Sequence, residues 1–313
     1  MPSGRTAAGC LSQIVGALLV GAVAGVLSVA TGASRATIGR LMDEAGLPGG
    51  EPWRRLRWLL QNARELFAGW SLRAAGRLFD RRIKEYRCRG LVFQIPPQLT
   101  TLETRGQFLL HRYESVERRF ARKYVPSDAT VLELGGCLGI VACLVNRRLA
   151  DPSRHVVFEP HPRIADCLEA NRERNRCRFQ IRRQIVAAAG PAAFYLRDPF
   201  VGGSSALRPS ERRIDVPTVT IGEVERDTGY RFDTLIVDVE GAECGFFAEN
   251  PDLLARARLV IVEFHPQIVG EAACEDSRQL LRAGGLARLD CRGSVEAWTC
   301  AAAPRRAAIT APP

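Results

Sequence analysis

A chain of 313 residues can hold one ample core with an extension, or two small domains, and is long enough for an enzyme. Its 46% hydrophobic and 25% charged residues exclude global disorder and a polytopic membrane protein. The net charge of +10 is unevenly placed: residues 1–125 carry 20 Lys and Arg against 9 Asp and Glu, and the remainder carries 24 against 25, so the whole basic excess is N-terminal and hints at acidic partners.

In chain order, residues 6–34 carry no charge and 14–30 form an apolar run rich in glycine and alanine. A membrane span needs about 20 apolar residues, which this segment reaches only over 11–33. A membrane anchor, a secretory signal with Ser28-Val29-Ala30 as cleavage site, and a soluble N-terminus all remain open. If the segment spans, Arg35, Arg40, Arg54, Arg55 and Arg57 outweigh Arg5 and keep the bulk of the chain cytoplasmic, on the inner face of the membrane. Residues 34–46 read as a short helix closed by Gly46 and Pro48. From 54 to 86 the positions Leu56, Leu60, Ala63, Phe67, Trp70, Ala74 and Leu78 keep helical spacing, with arginines opposite. A short strand follows over 91–97 and a charged helix over 113–124. The expected division is an apolar segment 1–33, a basic helical extension 34–90, an α/β domain 91–301 and a disordered tail 302–313.

Beyond Pro126 strands and helices alternate, which predicts a parallel sheet with helices on both faces. Strands are expected at 130–134, 155–159, 179–187, 233–239 and 258–264, and helices near 140–149, 162–174, 219–228, 242–256 and 275–283. A terminal hairpin spans 286–290 and 295–300. Ten scattered cysteines without a C-x-x-C pair give no zinc site and suit a reducing cytoplasm.

The chemistry concentrates at strand ends. The stretch 130–139, TVLELGGCLG, runs from a buried strand into a glycine turn, with Gly135, Gly136 and Gly139 letting a ligand touch backbone. Glu133 would repel a pyrophosphate but attract the ammonium and sulfonium of S-adenosylmethionine. Glu159 ends the second strand 20 residues after Gly139, where a carboxylate can accept both ribose hydroxyls. The fourth strand delivers Asp238, Glu240 and Glu243, whose mutual repulsion suits a general base or a cation site. The fifth ends in Glu263 and His265, a second candidate proton acceptor. Asp238, Glu240, Glu263 and His265 can also surround a divalent cation, although no metal is assigned.

These residues resemble the FkbM family of S-adenosylmethionine-dependent methyltransferases. The likeness lies in Tyr113-Glu114, Phe158-Glu159-Pro160, the Asp-Val-Glu-Gly-Ala-Glu run from Asp238, and Val262-Glu263-Phe264-His265-Pro266. It covers about half the chain and leaves 1–110 unexplained. The family often has Asp-x-Gly-Ala-Asn-x-Gly where this chain has Glu133-Leu-Gly135-Gly-Cys137-Leu-Gly139, and the loop 201–207 resembles a family substrate loop. The resemblance implies a Rossmann-like seven-stranded methyltransferase sheet and methyl transfer to a hydroxyl on a sugar, glycan or secondary metabolite. Gly135, Gly136 and Gly139 would then cradle the methionine part, Glu133 its positive charge and Glu159 the ribose. Asp238, Glu240 and His265 would orient or deprotonate the acceptor. Two alternatives stand beside it: a nucleic-acid methyltransferase using the basic N-terminal region, and a non-catalytic adenosyl-binding scaffold.

Overall fold

The computed structural model describes residues 17–26, 28, 35–44, 52–187, 190, 192–196 and 212–300. It divides into two units, Met1–Ile83 with Leu102–His111, and Lys84–Thr101 with Arg112–Pro313.

In the first unit, residues 17–26 are helical and are followed by α1 (Arg35–Glu44), α2 (Pro52–Arg82) and α3 (Leu102–Leu109). Ala24, Ile38, Met42 and Leu59 form a small core. Two glycines bring α2 and α3 into backbone contact: a Cβ on Gly76 would lie 2.0 Å from the Leu102 carbonyl oxygen, and one on Gly106 would lie 2.0 Å from that of Leu72. Phe79 is buried, whereas Leu78, expected on the apolar face, is exposed. No helix among the described residues is long and apolar enough to cross a membrane. Most of the 11–33 segment and the tail 302–313 lie outside the described residues.

The second unit opens earlier than position 91. β1 (Tyr86–Cys88) and β2 (Leu91–Phe93) form a hairpin about Arg89 and Gly90, both left-handed. After α4 (Ser115–Tyr124) come β3 (Val131–Leu134), α5 (Ile140–Asn146), β4 (His155–Phe158), α6 (Pro162–Arg174) and β5 (Gln180–Arg182). Two asparagines of the α6 end, Asn171 and Asn175, hold β2 and the residue after it. Asn175 Oδ1 accepts from Val92 N at 2.8 Å and its Nδ2 donates to Val92 O at 2.8 Å, while Asn171 Oδ1 accepts from Gln94 N at 2.7 Å. That clamp is the physical reason why residues 84–90 fold with the α/β unit and not with the helices before them.

The expected strand 179–187 is broken. Only β5 joins the main sheet, and β6 (Ile185–Val186) leaves it to pair in parallel with β9 (Thr218–Val219). Between them, β7 (Ala192–Leu196) and β8 (Arg212–Val216) form an antiparallel hairpin that the sequence reading does not contain. The loop 201–207 lies outside the described residues. Then come α7 (Ile221–Thr228), closed by a Thr220–Glu223 capping box, and β10 (Thr234–Val237). The helix expected at 242–256 is two, α8 (Glu243–Glu249) and α9 (Pro251–Arg256), because Pro251 lacks the amide to continue the first. β11 (Leu259–Glu263), α10 (Pro266–Val269), α11 (Glu271–Ala283), β12 (Leu286–Arg292) and β13 (Val295–Cys300) complete the chain.

The main sheet has seven strands in the order β12-β13-β11-β10-β3-β4-β5. β11, β10, β3, β4 and β5 run parallel, and β13 is inserted antiparallel between β11 and β12. This is the Rossmann-like methyltransferase sheet expected above. The four residues of β3, β4 and β10 are buried throughout, as strands covered on both faces must be. One core packs Leu132, Leu134, Val156 and Leu235 with Phe247 and Trp298, and the opposite one packs Phe120, Val131, Val145 and Ile261. The strand order reverses between β3 and β10, and the crevice of such a sheet opens at the carboxyl ends there.

Candidate active site

A cavity of about 390 Å³ opens at that reversal, within the roughly 300–1,000 Å³ usual for small-molecule sites. Its polar wall includes Glu114, Gly135, Cys137, Glu159, Asp238 and Glu240. Phe158, Ile164, Ile185, Phe194 and Phe246 supply an apolar flank.

The turn after β3 is built by close approach. Gly135 has φ +89°, and a Cβ there would sit 1.8 Å from the Asp238 carbonyl oxygen, so only glycine lets β3 and β10 end side by side. Gly136 and Gly139 act differently from expectation. Neither borders the cavity, and a Cβ on either would strike Leu168 of α6, at 2.9 and 2.6 Å. They let the turn pack on the following helix. Cys137, in the middle position of the motif, takes a left-handed φ of +43°, a conformation glycine or asparagine adopts more readily. Its Sγ lies 3.1 Å from the Tyr113 hydroxyl, and burial, with Glu114 and Glu159 nearby, pushes the thiol well up and keeps it protonated.

Glu159 is 6% exposed and holds the turn in place: Oε2 accepts from Cys137 N and Oε1 from His161 N, each at 2.9 Å. Burial lifts its carboxyl to about 7 against the opposing pull of those two amides. Glu133 is elsewhere. Its carboxylate accepts from His155 Nε2 at 3.0 Å with both side chains buried, and it does not border the cavity. Glu133, expected to face the sulfonium, stands instead in a buried hydrogen-bonded pair that joins β3 to β4, away from the cavity.

The ends of β10 and β11 gather the remaining candidates. His265 Nδ1 donates to Glu243 Oε1 at 2.8 Å, and its Nε2 lies 3.7 Å from Asp238 Oδ1 and 3.6 Å from Glu240 Oε2. Glu243 is fully buried, and the same oxygen accepts from Val239 N at 3.2 Å and Gly241 N at 3.1 Å, so it shapes the turn and orients His265. Glu240 is held in a left-handed conformation, φ +52°, before Gly241 at +100°. Burial, then the charges of Glu263 and Glu240, push Asp238 well above the usual carboxylate range. Burial works against charge on His265, but Glu243, Glu240 and Glu263 together outweigh it and the imidazole is raised.

Glu114 joins this group although the sequence reading gave it no role. It sits left-handed, φ +45°, at the N-cap of α4, which turns Tyr113 and Glu114 to the cavity. Burial, then Glu117, lifts its carboxyl to about 8, and Glu117 rises to about 7 mainly through burial. The sequence reading places the Tyr-Glu dipeptide inside a helix over 113–124, whereas α4 begins at Ser115 and leaves the dipeptide ahead of it in a left-handed turn.

Residues 134–286 match the family model of the methyltransferase FkbM domain. This part of the chain is an FkbM methyltransferase domain. This domain is accordingly a methyltransferase domain, and the cofactor it implies is S-adenosylmethionine. No curated protein matches the chain. Among solved structures it is similar to an O-methyltransferase from Bacillus cereus in complex with S-adenosylhomocysteine, at 16% identity and TM-score 0.36 over 59% of this chain and 78% of that one. It is also similar to magnesium protoporphyrin IX methyltransferase from Synechocystis PCC 6803 with bound S-adenosylmethionine, at 13% identity and TM-score 0.38 over 63% and 83%. A precorrin-6y C5,15-methyltransferase from Geobacter metallireducens GS-15 follows at 12% identity and TM-score 0.38 over 66% and 92%. The strand order of the FkbM domain carries the fold without them.

Proposed function

We propose that the FkbM domain transfers the methyl of S-adenosylmethionine to a hydroxyl of a sugar, glycan or secondary metabolite. The observation that carries this reading is the acid lining of the cavity: Glu114, Asp238 and Glu240 are hydrogen-bond acceptors when ionised and suit an acceptor rich in hydroxyl donors. Those of them that are ionised would repel the phosphates of a nucleic acid, which weighs against the reading based on the basic N-terminal region.

The residues fit the cofactor. Gly135 brings bare backbone to the cavity, Glu159 presents a buried carboxylate beside it, and Phe158, Ile164 and Phe194 give an apolar flank for a purine. In this reading Glu159 takes the ribose and Gly135 with Cys137 the methionine part. The bound cofactor supplies an electrophilic methyl on a sulfonium. Asp238, when ionised, would take the hydroxyl proton, and its raised affinity for a proton favours that transfer; the cofactor would supply the methyl and depart as S-adenosylhomocysteine. Glu243 fixes His265, whose Nε2 faces Asp238 and Glu240 at ion-pair range. The place of action in this reading is the cytoplasm, with 11–33 as a contact to the inner face of a membrane. Exposed Leu18 and Val26 support that contact.

The test is incorporation of labelled methyl by the full chain into a panel of glycosides, glycolipids and RNA. Transfer to a hydroxylated acceptor, abolished by Asp238→Asn with S-adenosylhomocysteine binding intact, is the expected result. Transfer to RNA alone, or cofactor binding with no turnover on any acceptor class, overturns the reading.

A further inference from the structure

We propose that Asp238, Glu263 and His265 bind a divalent first-row cation, Mn2+ by the mix of donors, at the edge of the cofactor cavity. One oxygen or nitrogen from each lies within 4.8 Å of the others. Donors on opposite sides of one cation stand roughly 4.3 Å apart and adjacent ones about 3.0–3.6 Å. The 3.7 Å between His265 Nε2 and Asp238 Oδ1 is too long for a hydrogen bond and close to an adjacent-donor edge.

One unsatisfied atom and one imidazole nitrogen without a close hydrogen bond to its acid neighbours meet here. Asp238 Oδ1 is buried and has no hydrogen-bond partner among the described residues. His265 is 5% exposed, and its Nε2 meets Asp238 and Glu240 only at ion-pair range. The other ring nitrogen is fixed on the buried Glu243, the carboxylate–histidine arrangement that orients a metal-binding imidazole. Ser294 Oγ donates to Glu263 Oε1 at 2.7 Å and steadies the third ligand. Two carboxylates and one imidazole favour Mn2+ over the all-oxygen ions Mg2+ and Ca2+, and binding displaces any proton from Nε2. Three protein ligands leave coordination positions open. The cation's service to an acceptor oxygen rests on the O-methylation reading, but its binding does not.

The experiment titrates chelator-treated full chain with Mn2+, following the free-ion paramagnetic resonance signal, for wild type, Glu263→Gln and, independently, His265→Gln. S-adenosylhomocysteine binding and thermal melting are recorded on the same samples. One Mn2+ per chain, weakened at least tenfold in both variants while each still melts cooperatively, is expected. Folded wild type that leaves the Mn2+ signal unchanged, or variants that bind as wild type does, overturns the proposal. Loss of S-adenosylhomocysteine binding alone bears on the cofactor reading and leaves the cation result standing on its own.

Discussion

If Glu159 receives the ribose, cofactor affinity must titrate with its carboxyl. Both oxygens accept backbone amides at 2.9 Å, and only the ionised group keeps lone pairs for two further hydroxyl donors. Burial sets the carboxyl at about 7, so its ionised fraction rises roughly tenfold from pH 6 to pH 8. S-adenosylhomocysteine should bind about tenfold tighter at pH 8 than at pH 6, equal to about 1.4 kcal/mol, with proton release on binding near pH 6. Calorimetry on the full chain in two buffers of different ionisation enthalpy reads both quantities. Glu159→Gln should bind more weakly and with a flatter profile, and the difference from wild type cancels the titration of the ligand itself. The stability term has the opposite slope. The folded value of about 7 lies above the ordinary 4.5, so the folded state holds the proton more tightly and stability falls as pH rises between these values, by about 3 kcal/mol from this group alone. A wild-type affinity that is level from pH 6 to pH 8, or a Gln variant that tracks wild type, refutes the assignment of Glu159 to the ribose.

Asp238→Asn should lower methyl transfer by about 100-fold or more, the usual worth of a general base, with S-adenosylhomocysteine affinity within about threefold of wild type; equal turnover would remove Asp238 from proton transfer. Glu133→Ala should cost about 3 kcal/mol or more in urea unfolding by leaving His155 buried without its carboxylate, and Glu133→Gln should cost less. The folded Gln variant should keep wild-type cofactor affinity, and its collapse would return Glu133 to the binding site. Gly135→Ala should destabilise by several kcal/mol, because its Cβ meets the Asp238 carbonyl oxygen at 1.8 Å, and a wild-type unfolding midpoint would contradict the described turn. Asn171→Ala should cost about 2–3 kcal/mol and speed amide exchange at Gln94, whose N–H it now receives at 2.7 Å; unchanged exchange there would show that the hairpin is held by other contacts.

What the sequence discloses about this molecule follows from the range of the interactions involved. β3, β4, β10 and β11 are short apolar runs with turn residues behind them, and burial on both faces demands that pattern locally, so their positions and the carboxylates at their ends are legible. The break after Arg182 is not, because Ile185 and Val186 are as apolar as any sheet strand and leave only to meet Thr218 and Val219, more than 30 residues on. The β7–β8 hairpin fails for the same reason, its two strands being far apart in sequence. The three glycines look alike in the motif, yet each answers a different neighbour: Asp238 for Gly135, Val157 and Leu168 for Gly136, Leu168 for Gly139. Glu133 shows the limit most clearly. Its spacing to the first glycine matches a cofactor acid, and what removes it from that role is His155, paired across β3 and β4 at a distance no local pattern encodes. Spacing identifies which carboxylates stand at strand ends; the partner each one meets decides whether its charge is spent in the core or left for a ligand.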